Sequence, residues 1–175
     1  MKLVVLLVVL LAVVAMCQAK TCPNYPIEWV PANKTTAADH TQRALVVGHD
    51  YGARSPLWAI RAAPYEGALF PGKFAINFFT SGYIPYDGKE IVVHEFEILL
   101  AHPSTVKWAV KNDGLVPPKA IPAGNSDTGE LLYICRFPHM NTITPGMVHP
   151  SRHHCYISYG NVEIAFKDYE VLCRI

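Results

Sequence analysis

The side chains best equipped for chemistry crowd one short stretch: His149, His153, His154 and Cys155, with His139 upstream. Zinc would need three or four such ligands converging on one point. The run His149-Pro150-Ser151-Arg152-His153-His154 reads instead as a turn entering a strand, where adjacent histidines would point to opposite faces. A solvated turn is the plainer reading. Glu90, Glu97, Glu163 and Glu170 could suggest paired hydrolytic carboxylates. They stand at matched places of an internal duplication described below, beside the equally matched Arg61 and Arg136. Internal Arg–Glu pairs serving the fold account for them better. No HExxH, GxSxG or Gly-rich phosphate loop is present. The chain is expected not to be an enzyme and to need no cofactor or metal.

The cysteines point to a compartment. Lys2, the apolar run Leu3–Met16 and Cys17-Gln18-Ala19 have the layout of a secretory signal peptide cleaved after Ala19. That run is shorter than the ~20 apolar residues needed to span a bilayer. Cys17 leaves with the signal, and Cys22, Cys135, Cys155 and Cys173 remain, an even number suited to two disulfides in an extracellular setting. Of three pairings the preferred one joins Cys135 to Cys155, on neighbouring strands, and Cys22 to Cys173, near the two ends. Asn33-Lys34-Thr35 is a glycosylation acceptor expected on a surface loop.

Once Lys2 is removed, 14 basic residues face 14 acidic ones. A neutral chain offers no electrostatic case for nucleic acid or an anionic membrane, and no membrane insertion is expected. The 14 Pro and 11 Gly, set among many Val, Ile, Tyr and Phe, favour strands punctuated by turns.

An internal repeat organises those strands. Gly82–Ile91 (GYIPYDGKEI) and Cys155–Ile164 (CYISYGNVEI) agree at five of ten positions. The match extends to Phe96–Leu99 against Tyr169–Leu172, Pro71-Gly72 against Pro145-Gly146, Arg61 against Arg136, and Gly48 against Gly124. Trp29 and Trp108 open the copies. Asp87-Gly88 and Gly160-Asn161 read as tight hairpin turns. Period-two burial would put Val92, Phe96 and Ile98 on one face, and Ala165, Tyr169 and Val171 on the equivalent one. Segments 131–136 and 73–79 also read as strands. The expected fold is all-β: two tandem copies of a short antiparallel β-repeat, packed with pseudo-twofold symmetry so that each buries the other's apolar face. The expected division is signal peptide 1–19, N-terminal lead 20–28, first repeat 29–100, joint 101–107 and second repeat 108–175.

This ordered set resembles the DM-nine repeat family, related to natterin-type repeats. The second copy carries Trp108, Ala120, Gly124, Leu132-Tyr133, Arg136, His139, Pro145-Gly146, Tyr156-Ile157, Tyr159-Gly160, Glu163 and Tyr169–Leu172. The first keeps Gly48-His49-Asp50, Arg61, Pro71-Gly72-Lys73, Tyr86, Glu90 and Phe96–Leu99. The resemblance implies a secreted mannose-binding lectin acting in innate recognition, with the Asp of Gly-His-Asp and the Lys of Pro-Gly-Lys holding the sugar. Here those are Asp50 and Lys73. A carboxylate accepts two sugar hydroxyls and an ammonium donates to the remaining oxygens, with no metal required. The second copy has Ser126 and Met147 at these places, so one site per chain is expected. Asp50 and Lys73 are both expected on exposed turns. The ligand would be a mannose-type glycan, with a homo-oligomer supplying avidity. The alternative is a secreted structural or protein-interaction protein that acts through a protein partner.

Overall fold

The computed structural model describes residues 26–50 and 55–175. The signal segment, most of the lead and Cys22 lie outside the described residues. Among the described residues, fourteen strands alternate with turns and three short 3-10 segments. The first seven are β1 (Glu28–Asn33), β2 (Val46–Asp50), β3 (Ser55–Ala62), β4 (Phe70–Phe74), β5 (Gly82–Tyr86), β6 (Lys89–Val93) and β7 (Glu95–Leu100). The second seven are β8 (Val106–Asn112), β9 (Pro122–Asn125), β10 (Leu131–His139), β11 (Thr142–His149), β12 (His154–Tyr159), β13 (Val162–Phe166) and β14 (Asp168–Arg174). The protein is all-β, and no helix among the described residues is long and apolar enough to cross a membrane.

The strand order is β1-β7-β3-β4-β5-β6-β13-β12-β11-β10-β14-β8, all antiparallel. Read inward from either end, the two halves follow one sequence of strands. β2 pairs with both β3 and β11, which closes eight strands into a barrel. The crossing is reciprocal: His49 bridges Ile143, and Asn125 bridges Leu69. It depends on Gly48 and Gly124. A Cβ on these would stand 2.0 Å from the Ile143 carbonyl oxygen and 1.9 Å from that of Leu69, so any side chain would force the strands apart.

Apolar packing crosses between the halves. Leu45, Val47, Ala59 and Leu99 share one buried cluster with Ile121, Ala123, Ile134 and Leu172, flanked by Trp29 and Trp108. On each half the opening tryptophan carries an ion pair. Arg61 lies 4.6 Å from the Trp29 ring and 2.5 Å from Glu97, and Arg136 lies 4.0 Å from Trp108 and 2.6 Å from Glu170. The matched Arg and these two Glu are therefore paired, as the sequence suggested. The hairpin turns also hold: Asp87 and Gly88 have φ of 50° and 74°, Gly160 and Asn161 of 61° and 70°, the left-handed pairs a two-residue hairpin needs.

Three local expectations fail. Val92 and Ala165 are exposed while Phe96, Ile98, Tyr169 and Val171 are buried, because the chain breaks between β6 and β7 at His94 and between β13 and β14 at Lys167, and the parity resets. The segment 73–79 is strand only to Phe74 and then turns, with Phe78 and Phe79 N–H groups bonding the Ala75 carbonyl. Cys135 and Cys155 form a disulfide, but on β10 and β12, with β11 between them. Their Cα atoms are 6.1 Å apart. Flat next-but-one strands would be roughly 9–10 Å apart, so the sheet curls sharply there. Cys173 is buried with no bridge among the described residues; its expected partner Cys22 is not among them. Asn33 ends β1 half-buried, its Oδ1 accepting the Thr35 and Thr36 N–H groups at 2.9 and 3.1 Å.

Candidate functional site

Lys73 sits in the middle of β4, a strand buried along its whole length. It does not lie on an exposed turn: the residue is only 5% exposed. Its ammonium donates to the Ser158 carbonyl of the other half and lies 3.2 Å from Glu90 Oε1. Glu90 Oε2 in turn accepts the Asn161 N–H at 3.0 Å. The rings of Tyr159 and Phe79 stand 5.5 and 5.9 Å from the ammonium. Burial pulls the Lys73 pKa below its ordinary 10.5, with Glu90 and then Asp50 acting in the opposite direction. The Asp50 carboxylate is thus within electrostatic reach.

These groups line a cleft of about 340 Å³ at the seam between the halves. Asp50, Leu57, Lys73, Phe79, Tyr83 and Glu90 come from the first half; Thr144, Tyr159, Gly160 and Asn161 come from the second. The two residues singled out from sequence therefore share one cleft. Sequence reasoning missed its other walls. Glu90 was assigned to the fold because it recurs, and Tyr159 and Asn161 belong to the copy expected to lack a site. The signal for Glu90 was available in the contrast between copies, since Glu90 stands in the copy that has Lys73 and its match Glu163 in the copy that has Met147.

The equivalent positions in the second copy carry different side chains. Met147, 1% exposed, replaces Lys73. Ser126 is buried, its hydroxyl bonding Thr128 and the Glu130 N–H. Phe70 stands where the first cleft has Thr144, and the rings of Tyr65, Phe70 and Tyr86 pack with centroids 5.1 to 6.5 Å apart. Glu163 accepts the Gly88 N–H at 2.8 Å, but its Oε1 is buried without a partner among the described residues. Burial holds its carboxyl above the ordinary 4.5.

The histidine stretch is not a solvated turn throughout. His149 is buried at the end of β11, 3.2 Å from Glu130 Oε2, and burial lowers its pKa. Ser151 Oγ donates to the same Glu130 oxygen at 2.6 Å and lies 3.3 Å from His149 Nδ1. Serine and carboxylate thus approach one imidazole nitrogen, whereas a relay needs them on opposite nitrogens. Among the described residues no three His, Cys, Asp or Glu side chains converge as a metal site.

Barrel and cleft together define an all-β repeat protein whose polar pocket is shared between its two halves. The DM9 repeat model matches residues 51–166, and the chain belongs to the DM9 repeat family. Among solved structures it is similar to the crystal structure of the nematode sperm cell motility protein MFP2B, with a TM-score of 0.55 and 15% identity. That likeness covers 90% of this chain and 51% of the other. The chain spans about half the length of that protein, and at such identity the similarity is one of fold. No curated protein matches the chain.

Proposed function

We propose that this protein is a secreted, non-catalytic recognition protein that binds a mannose-type sugar in the seam cleft, in the setting of innate immunity. The observation that carries the reading is the meeting of Asp50 and Lys73 in that cleft. Its volume is at the low end of small-molecule sites, which run from roughly 300 to 1,000 Å³. Glu90 and the Ser158 carbonyl engage Lys73 and fix its ammonium, which has three N–H groups and keeps a donor for a sugar oxygen. Asp50 accepts vicinal hydroxyls, and Tyr83 and Tyr159 offer apolar ring surface to the sugar's C–H face.

Two polar contacts hold a monosaccharide weakly. Millimolar affinity, about −4 kcal/mol, is the expected range, so glycan-coated surfaces would be held by oligomers presenting several sites. Secretion follows from the N-terminal signal pattern, with cleavage after Ala19; N-terminal sequencing of protein from culture medium tests that step. A glycan array probed with wild type and Asp50→Asn tests the function. Mannose-competed binding, lost in the variant, supports it. Signals indifferent to mannose, with a protein copurifying instead, would move the function to protein-partner binding.

A further inference from the structure

The turn between β4 and β5 carries an aromatic series that leads out of the cleft. Tyr83 lines the cleft wall; Phe79, also on the wall, meets it edge-on at 4.9 Å; and Phe78 meets Phe79 edge-on at 5.7 Å. Phe78 is 71% exposed. Single exposed apolar residues are ordinary, but this one continues the wall of a ligand-sized cleft. The second copy carries Ser151, Arg152 and His153 in the corresponding turn between β11 and β12. Its Ser151 is tied to Glu130 in a 3-10 turn. The aromatic series thus accompanies Asp50 and Lys73 and is missing from the copy that lacks them.

We infer that Phe78 forms a second subsite, so that the ligand is an oligosaccharide of at least two linked hexoses rather than a single sugar. This rests on the carbohydrate reading of the cleft. The first ring sits between Asp50 and Lys73, and the next extends over the Phe78 face. A pyranose presents an apolar C–H face flanked by hydroxyls, and an aromatic ring buries the former while leaving the latter in water. No second set of buried charges is required. That suits an exposed platform at the rim.

The test is calorimetric titration of wild type, Phe78→Ser and Phe78→Tyr with mannose and with an α-linked mannobiose. Wild type should bind mannobiose roughly three- to tenfold more tightly than mannose, the factor an aromatic contact commonly contributes. Phe78→Ser should lose that advantage while binding mannose as wild type does, and Phe78→Tyr should keep it. Equal wild-type affinities for the two sugars, or a Phe78→Ser loss shared by both, would overturn the second subsite and leave the cleft reading standing. Absence of binding to either sugar would defeat the cleft reading as well.

Discussion

Glu90 and Glu163 reach across the seam in opposite directions, each carboxylate capping a backbone N–H of the other half's hairpin turn. Glu90 accepts from Asn161 at 3.0 Å and Glu163 from Gly88 at 2.8 Å. The turns reciprocate through their carbonyls, Glu90 N–H to Asn161 and Glu163 N–H to Gly88. The two glutamates differ in their surroundings: the Lys73 ammonium lies 3.2 Å from Glu90, whereas the position matched to Lys73 in the other copy is Met147.

Lys73→Met should therefore weaken the fold as well as the site. Breaking a buried pair by removing one partner typically costs ~3–5 kcal/mol. Glu90 retains the Asn161 N–H and can take up a proton, so a loss of about 2 kcal/mol is expected. Urea denaturation at neutral pH measures it, and Lys73→Met with Glu90→Gln should recover most of the loss. A single variant as stable as wild type would contradict the pairing.

Glu163 gives a pH dependence of defined sign. Its folded pKa is raised by burial, so the folded state binds more protons than the unfolded one above the ordinary 4.5. The stability this group contributes is present in acid and lost as pH rises through its folded pKa. Wild type should accordingly lose stability relative to Glu163→Gln between about pH 4.5 and neutrality. Parallel unfolding curves for wild type and Glu163→Gln would contradict this.

The Cys135–Cys155 bridge closes a loop with a sequence separation of 20. Replacing both cysteines by alanine should cost about 3 kcal/mol. Unreduced peptide mapping of the purified protein should recover that pair. A different partner for Cys135 would refute the bridge.

Restoring charges to the second copy, Ser126→Asp with Met147→Lys, should not add a sugar site. Phe70, at the position matched to Thr144, packs against Tyr65 and Tyr86 there. Binding stoichiometry should stay at one per chain, and a value of two would show that the aromatic cluster yields.

The duplication was legible in the chain because the matched residues do the same physical work twice: Trp29 and Trp108 under their arginines, Gly48 and Gly124 at the crossings, Glu90 and Glu163 at the turns. Asp50 and Lys73 were legible through family resemblance. The rest of the cleft was not, because its walls come from both copies, and within-copy comparison cannot show which residues meet across the seam. Lys73 was misplaced on the surface for a related reason. A lysine after Pro-Gly reads as solvated until its partners, Glu90 and the Ser158 carbonyl, are seen. The twofold relation between repeats 29–100 and 108–175 is predicted by the reciprocal contacts, and superposing the halves of an experimental structure checks it.

Binding of one sugar per chain by Asp50 and Lys73 is tested most directly by calorimetric titration with mannose of wild type and Asp50→Asn. Asn keeps the shape of Asp50 without its charge, and unlike Lys73→Met it leaves the Lys73–Glu90 pair intact. Wild type should bind with a millimolar dissociation constant, near −4 kcal/mol, and a folded Asp50→Asn should show no measurable binding. Wild type that gives no heat at high sugar concentration, or a variant that binds equally well, would contradict the account.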